Sequence, residues 1–256
     1  MIDFHSHIIY GVDDGANTIE NSIEILKSAK IAGFNSIILT PHYMENYYEY
    51  HTNEIENRVY ELKNICKKEN IDINLYQANE VYITNNMIKL IEEGKISTIN
   101  QTRYVLFELP MNEEPQNLLE VIYLLKEKNI TPIIAHPERY RYIQKNPNRL
   151  IELIDMGVLF QANYGSIIGR YGRECKTTVK LLIKNNFIHF LGTDVHKTTN
   201  IYSKISEIRK ELKKLITERQ IEELVQENAE KILNNESIEI KDPNMIKKNI
   251  LEKIFS

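Results

Sequence analysis

The sequence predicts an α/β fold in which parallel strands close into a barrel of the (β/α) type. Short apolar segments rich in β-branched residues alternate along the chain with segments of helical periodicity. Almost every apolar segment is followed at once by a histidine or a carboxylate. Because the carboxyl ends of parallel strands meet at one face of such a barrel, one fold explains both observations.

Seven segments have the length and composition of buried strands. The first begins the chain and runs into His5 and His7, and the others cover about residues 36–40, 73–77, 104–108, 131–135, 158–162 and 188–192. Helical segments separate most of these strands. Parallel neighbours need such a crossover connection, so the alternation favours parallel pairing throughout.

Capping residues and apolar spacing predict the helices. Asn17 or Thr18 caps the first helix, and Gly33 ends it. Further helices are predicted over about residues 52–68, 85–93 and 118–128, from Pro147 to Gly157, and in two pieces within 203–233, where Thr217 and Gln220 form a capping box.

Residues that commonly bind metals lie just at or after the strand ends. They are His5, His7, His42, Glu80, Glu108, His136, Asp194 and His196. His5 and His7 are two residues apart in a strand, so both imidazoles face one side, and Asp13 and Asp14 add carboxylates on the next turn. A lone His-x-His pair is often a chance pair on a solvated strand. Eight such residues at consistent positions in the topology favour a metal site instead.

Nitrogen and carboxylate ligands without cysteine suit manganese, iron or zinc, and their number exceeds the coordination sphere of one ion. We therefore expect two or three ions. Clusters of this kind generate a hydroxide at neutral pH and hold phosphoryl oxygens for in-line displacement. Arg139 can present a guanidinium to phosphate oxygens, and Lys197 can add a point charge. The alternative for Arg139 is a surface ion pair with Glu138.

Size and composition indicate one large domain over residues 1–240, followed by a short basic tail at 241–256. The chain has 256 residues, of which 42% are hydrophobic and 27% charged. No apolar run approaches the roughly 20 residues of a membrane span, and no signal-peptide pattern begins the chain, so we expect a cytoplasmic protein without membrane insertion. A net charge of -4 offers no general attraction to nucleic acid.

For other reactive or aromatic residues, the sequence gives weaker evidence of a functional role. His51 opens a predicted helix and His189 lies within an apolar strand, so both are predicted to be structural, and Cys66 and Cys175 are predicted to be buried thiols. Four tyrosines follow His42 on the segment at the barrel mouth: Tyr43, Tyr47, Tyr48 and Tyr50. They either contact an aryl substrate or cover the site.

The motifs resemble those of the PHP (polymerase and histidinol phosphatase) superfamily. They are His5 and His7, Asp14, the run from Thr40 to His42, Glu80, Glu108, the run from His136 to Arg139, and Asp194 with His196. Within the superfamily, the chain is most similar to the manganese-dependent protein-tyrosine phosphatases of capsule and exopolysaccharide operons, the CpsB/CapC family. The likeness extends over essentially residues 1 to 240.

The resemblance implies a distorted seven-stranded barrel that holds three metals, with manganese as the expected ion. It assigns His5, His7, Glu80 and Asp194 to the first metal, Glu80, Glu108 and His136 to the second, and Asp14, His42 and His196 to the third. Arg139 resembles a phosphate-orienting arginine. The family usually has a second arginine shortly after the Asp-x-His motif, and residues 197–201 of this chain contain none.

The resemblance therefore implies hydrolysis of phosphotyrosine on protein by a metal-bound hydroxide. The expected partner is the tyrosine-rich C-terminal tail of a bacterial tyrosine autokinase that controls polysaccharide export. One alternative is hydrolysis of histidinol phosphate or another small phosphomonoester, because a metal cluster does not distinguish what the phosphate is attached to. A second alternative is a metal-stabilised binding module without turnover. A nuclease is disfavoured because no basic track is evident.

Overall fold

The structure is a computed structural model that describes residues 1–198 and 201–247. Its strands are β1 (Ile2–Asp3), β2 (Ser36–Leu39), β3 (His42–Tyr43), β4 (Asn74–Gln77), β5 (Glu80–Tyr82), β6 (Tyr104–Glu108), β7 (Thr131–Ala135), β8 (Leu159–Asn163) and β9 (Phe190–Gly192). Its helices are α1 (Ile19–Ile31), α2 (Thr52–Lys68), α3 (Met87–Glu92), α4 (Leu118–Glu127), α5 (Arg141–Lys145), α6 (Arg149–Asp155), α7 (Tyr164–Ile168), α8 (Arg173–Lys184), α9 (Ile205–Leu212), α10 (Glu218–Glu222) and α11 (Asn228–Leu233).

The strands form a closed parallel ring. Strands β1, β2 and β4 pair in that order, and β3, β5, β6, β7, β8 and β9 form a second parallel series. The ring closes because Ser6, just after β1, bridges in parallel to Val195, just after β9. The backbone N–H of His7 donates to the carbonyl of Val195, and that of Asp194 donates to the carbonyl of His5, both at 2.9 Å. The predicted (β/α) barrel is confirmed.

Two of the seven predicted strands resume beyond their predicted ends as short separate strands, β3 and β5, which makes nine strands among the described residues. The first break separates β2 from β3 at Thr40 and Pro41, where proline has no N–H to donate to a neighbouring strand. The second separates β4 from β5 at Ala78 and Asn79. The side chain of Asn79 replaces strand hydrogen bonds there, because it donates to the carbonyl of Pro41 and accepts from the backbone N–H of Ser97.

Alternation along the strands separates an inner core from an outer core. In β6, Val105 and Phe107 pack in the outer layer between strands and helices, whereas Tyr104 and Leu106 pack inside the barrel. Glu108 continues the inward series, since successive side chains of a strand point to opposite faces. The inner core also contains Ala229, Ile232 and Leu233 of α11, which therefore contact the barrel interior. The apolar interior gives way to polar residues toward the strand carboxyl ends.

The helix predictions are largely confirmed. Thr18 caps α1 by accepting from the N–H of Asn21, and α2 has the predicted bounds. Thr217 and Gln220 form the predicted capping box. The last predicted helix is less regular than its periodicity indicates, because a π-helical turn at Glu223–Glu227 joins α10 to α11.

The secondary candidates also have structural positions. His51 is the capping residue of α2, and buried His189 accepts a hydrogen bond from the backbone N–H of Phe160 through Nδ1. Burial lowers the pKa of His189 to about 4. Cys66 and Cys175 are buried free thiols, as predicted.

The described part of the predicted tail contacts the domain. Ile246 is buried, and its backbone exchanges two hydrogen bonds with the side chain of Asn148. Residues 248–256 of the predicted tail lie outside the described residues. Within the described ranges, no helix combines the length and apolar character needed to cross a membrane.

The seam that closes the barrel has no room for a side chain at position 192. A methyl group on Gly192 would lie 2.6 Å from the Cβ of His5 and 2.8 Å from its backbone nitrogen. We expect Gly192→Ala to lower the free energy of unfolding in urea by about 3 kcal/mol, because the backbone at the seam cannot move aside.

The matched control is Gly94→Ala. Gly94 has a φ of +66°, but nothing lies within 4 Å of an added methyl group. That variant should lose about 1 kcal/mol for its left-handed backbone alone. Equal losses in the two variants would show that the seam tolerates expansion.

Candidate metal centre

All nine predicted ligands converge at the carboxyl end of the barrel. They are His5, His7, Asp14, His42, Glu80, Glu108, His136, Asp194 and His196, and each has a nitrogen or carboxylate oxygen within 3.4 Å of one from another member. The strand ends position most of them directly. Asp14 comes from the turn after β1, and His136 and Asp194 both have left-handed backbones, with φ of 35° and 52°. Such conformations are costly for non-glycine residues and are concentrated at functional sites.

Glu80 is the centre of this cluster. Its Oε2 atom lies 3.1 Å from His5 Nε2, 3.2 Å from His7 Nε2 and 3.1 Å from His42 Nδ1, yet it makes no hydrogen bond of acceptable geometry. Burial opposes ionisation of Glu80, but the imidazoles of His5 and His42 keep its pKa well below the usual range. A buried carboxylate oxygen surrounded by nitrogens without hydrogen bonding is the arrangement expected of a metal ligand.

The protonation states of His5 and His7 support the same conclusion. His5 Nδ1 lies 2.8 Å from Gln161 Oε1, and His7 Nδ1 lies 2.7 Å from Asp13 Oδ2, so both Nδ1 atoms act as donors. In the neutral rings both Nε2 atoms then carry lone pairs, and these atoms are only 3.1 Å apart. Burial opposes protonation of His7, but the carboxylate of Asp13 raises its pKa well above the usual range. Either a proton or a bound metal ion between the two Nε2 atoms makes this contact favourable. The residues therefore fit a metal site, with Asp13 and Gln161 orienting the ligands.

Three groups of ligand atoms each lie within 4.8 Å of one another. They are His7, Asp14, His42 and His196; His5, His7 and Glu80; and His42, Glu80 and Glu108. The first contains the whole set assigned to the third metal by resemblance. The third group differs from the assigned second set, because it holds His42 in place of His136. His136 Nε2 is 2.9 Å from Glu80 Oε1 but 3.8 Å from Glu108 Oε2.

The pKa values of three outer ligands are shifted by burial and by their neighbours. Burial and the adjacent charge of Glu80 raise the pKa of Glu108 to about 8. Burial and the nearby imidazole of His7 lower the pKa of His42 to about 4, and a hydrogen bond with His196 lowers that of Asp14 to about 2. At neutral pH, His42 thus has a free lone pair and Asp14 is ionised. Cations bound beside Glu108 would favour its ionised form and release its proton.

A chain of hydrogen bonds connects two of the ligands beneath the site. Gln161 accepts from His5 and donates through Nε2 to Asn163 Oδ1 at 3.0 Å, and Asn163 Nδ2 donates to Asp194 Oδ2 at 2.7 Å. Arg139 Nη1 donates to the same oxygen at 2.9 Å. Both donors occupy Oδ2, so Oδ1 of Asp194 is left to face the histidines, 3.4 Å from His7 Nε2.

Arg139 and Glu138 do not pair with each other. Arg139 bonds Asp194, and its guanidinium lies 4.8 Å from the ring centre of Tyr171. Glu138 is buried and accepts from the backbone N–H of Asn163 and from the hydroxyl of Ser166. The alternative predicted for Arg139, an ion pair with Glu138, is therefore wrong.

Lys197, the other predicted cation, is exposed. The family's second arginine is missing from residues 197–201. Two residues of that segment, 199 and 200, lie outside the described residues.

Two orienting residues, Gln161 and Asn163, were not predicted from the sequence, and the role of a third, Asp13, was predicted only in part. Gln161 and Asn163 are polar residues two apart in β8, so the same alternation that places His5 and His7 on one face places both amides inward. The two-residue spacing could therefore have indicated from the sequence that both amides face the site. Asp13 was recognised as a carboxylate near the site but not as the partner of His7, which depends on the fold of the turn.

Comparison with known proteins identifies relatives over nearly the whole chain. The sequence model of the family described as "Capsular polysaccharide synthesis, CpsB/CapC" matches residues 1–234. A putative tyrosine-protein phosphatase CapC of Staphylococcus aureus is 34% identical over 93% of this chain and 93% of that protein. Tyrosine-protein phosphatase YwqE of Bacillus subtilis is 31% identical over 100% of both chains.

A solved structure extends the similarity to three dimensions. It covers 97% of this chain and 100% of its own, with a TM-score of 0.90 and 31% identity. Its description names YwqE of Bacillus subtilis and CpsB of Streptococcus pneumoniae as unique metal-dependent tyrosine phosphatases. The family match, the two relatives above 30% identity and this structural agreement show that the chain belongs to the CpsB/CapC family.

Proposed function

We propose that this protein is a metal-dependent phosphatase that hydrolyses phosphotyrosine on proteins. The observation that carries the proposal is the convergence of three imidazole nitrogens on one buried oxygen of Glu80. The relatives named as tyrosine-protein phosphatases support the substrate class. When bound, divalent cations would generate a nucleophile from water at neutral pH and neutralise charge on the phosphoryl oxygens.

The nine converging residues would hold two or three divalent ions, for which we propose manganese. The group of His5, His7 and Glu80 is fully buried, whereas Asp14, His42 and His196 are partly accessible. A phosphate group therefore approaches from the side of these three residues. Oxygen and imidazole donors without thiolate suit manganese, and they also bind iron or zinc.

We also propose that Arg139 orients the phosphate. One of its nitrogens is held by Asp194 and its plane lies against Tyr171, so the remaining N–H groups have a fixed direction. The side chain is 27% exposed, which leaves part of the guanidinium accessible from the mouth. Charge-assisted hydrogen bonds from such a preorganised donor stabilise charge that develops on the phosphoryl oxygens.

The family's description in capsular polysaccharide synthesis supports a finer proposal for the partner. We propose the tyrosine-rich C-terminal tail of a bacterial tyrosine kinase, met in the cytoplasm. The chemistry that this site must recognise is a phosphorylated phenol on a flexible peptide. No described feature favours hydrolysis of histidinol phosphate or a binding module without turnover. The first prediction distinguishes both alternatives from the proposed function.

The first prediction concerns substrate and metal content. Protein reconstituted with manganese should release phosphate from a phosphotyrosine peptide, and elemental analysis should find two to three ions per chain. A chelator should abolish the activity, and added manganese should restore it. Faster hydrolysis of histidinol phosphate than of the peptide would support the small-molecule alternative. An absence of turnover on every phosphomonoester would support the binding module.

The second prediction is that Glu80→Gln removes metals without unfolding the barrel. An amide keeps the size of the carboxylate but loses the charge that opposes the surrounding cations. We expect at least one ion fewer per chain and a fall in kcat of about a hundredfold or more. Glu24→Gln, an exposed change on α1, is the matched control and should alter neither quantity. Full metal content in Glu80→Gln would remove Glu80 from the ligand set.

The third prediction is that Arg139→Lys lowers kcat by about a hundredfold, the scale for losing one preorganised donor. A lysine ammonium retains the charge but not the planar, two-point hydrogen bonding. Metal content should stay unchanged, because guanidinium is not a ligand. Arg141→Lys makes the same change on a nearby exposed residue and should have no effect. Near-normal kcat in the Arg139 variant would mean that the metals alone orient the phosphate.

A further inference from the structure

Two tyrosines between β3 and α2 stand at the edge of the metal centre, and we refer to Tyr47 and Tyr48 as the aromatic wall. The ring of Tyr48 is stacked on His42, with centroids 5.7 Å apart and an interplanar angle of 13°. The ring of Tyr47 meets Tyr48 edge to face, with centroids 4.9 Å apart and an angle of 84°. His42 connects the wall to the ligands, since its Nε2 is 3.6 Å from Asp14 Oδ1.

The segment that carries the wall is held in place by hydrogen bonds. The backbone N–H of Met44 donates to the carbonyl of Tyr48 at 2.9 Å, and the N–H of Tyr48 donates back to Met44 at 2.8 Å. The carboxylate of Glu45 accepts from Thr84 Oγ1 at 2.6 Å and from Asn86 Nδ2 at 3.1 Å, which ties the segment to the chain after β5. The backbone that carries the two rings is therefore held beside the centre.

The exposure of the wall decides between the two roles predicted for these tyrosines. Tyr47 remains 73% exposed, and the side chain of Asp14 in the metal centre is 57% exposed. A segment that covered the centre would bury Asp14, so the wall does not cover it. It leaves an accessible aromatic surface beside accessible metal ligands. A ring placed against that surface buries apolar area and gains the favourable geometry of aromatic pairs.

We propose that the aromatic wall receives the aromatic ring of the substrate and makes the enzyme prefer aryl phosphates to alkyl phosphates. The phosphoryl group would face Asp14, His42 and His196, and the ring would contact Tyr47 and Tyr48. This inference rests on the proposed phosphatase function and adds specificity-determining residues to it. The metal centre binds the phosphoryl group alone, so discrimination by the attached group must come from residues at its rim.

The test measures binding of two phosphonates that cannot be hydrolysed. Titration calorimetry of the metal-loaded protein gives dissociation constants for phenylphosphonate and methylphosphonate, which share the anionic group and differ in the ring. Wild-type protein should bind phenylphosphonate about tenfold more tightly, as expected for one buried and paired ring. Tyr47→Ala should reduce this ratio to about two, because the wall loses its outer ring.

Two further variants separate the wall from general effects of tyrosine removal. Tyr60→Ala removes a 69% exposed tyrosine from α2 and should keep the wild-type ratio. Tyr48→Leu should lower the ratio as Tyr47→Ala does, but it also removes the stack on His42, so metal content is measured in every variant. Tyr47 contacts no candidate ligand, which makes Tyr47→Ala the deciding variant.

An unchanged ratio in Tyr47→Ala, or no preference for the phenyl group in the wild type, overturns the proposal. If the protein hydrolyses phosphotyrosine peptide but gives either of these results, the proposed function stands. Only the proposed role of the aromatic wall is then rejected. Conversely, a wall-dependent ratio in a protein that releases no phosphate supports the wall and rejects the proposed turnover. The two proposals can therefore fail separately.

Discussion

The site depends on one electrostatic constraint. Several buried carboxylates and imidazoles share a small volume, and their charges and lone pairs must be compensated. Glu80 places one oxygen against three imidazole nitrogens, and the Nε2 atoms of two histidines face each other at 3.1 Å. Buried groups of this kind are stable only with matching charge. Asp13 and Gln161 fix the donors of His7 and His5, so the lone pairs can only point at the shared volume. Structural hydrogen bonds and metal binding are thus two parts of one arrangement.

The sequence was sufficient to predict the features that follow from local periodicity. Strand and helix positions came from apolar spacing, and the ligands came from the rule that parallel strands end at one face. The end of β2 before Pro41 was predictable, because proline cannot donate a strand hydrogen bond. The bend after β4 was not, because the exchange of Asn79 with Pro41 and Ser97 is a tertiary contact. Gln161 was missed for a related reason. Its role depends on the contact of its side chain with His5, which lies on a distant part of the chain.

Residues 138 and 139 show how neighbours in sequence can have separate roles. The short helical turn at Pro137–Arg139 directs Glu138 into the protein, where it holds the turn after β8, and directs Arg139 toward the mouth. The sequence left an ion pair between them as an alternative, because the two opposite charges are adjacent in the chain. A turn with three residues per repeat instead separates them. Asp194, distant in sequence, is the partner of Arg139, and the ion pair therefore joins the ends of β7 and β9.

The closure of the barrel by its first and last strands has a consequence for how the protein acquires its ions. Asp3 and Thr193, which bond across this seam, are 190 residues apart in the chain. His5 and His7 lie on one side of the seam, and Asp194 and His196 lie on the other. Contacts of such long range form late in folding, since the entropy of closing the intervening chain must be overcome first. A chain emerging from a ribosome therefore carries its first two histidines long before their partners exist, and binding of ions by the complete ligand set would require β9 and the residues after it.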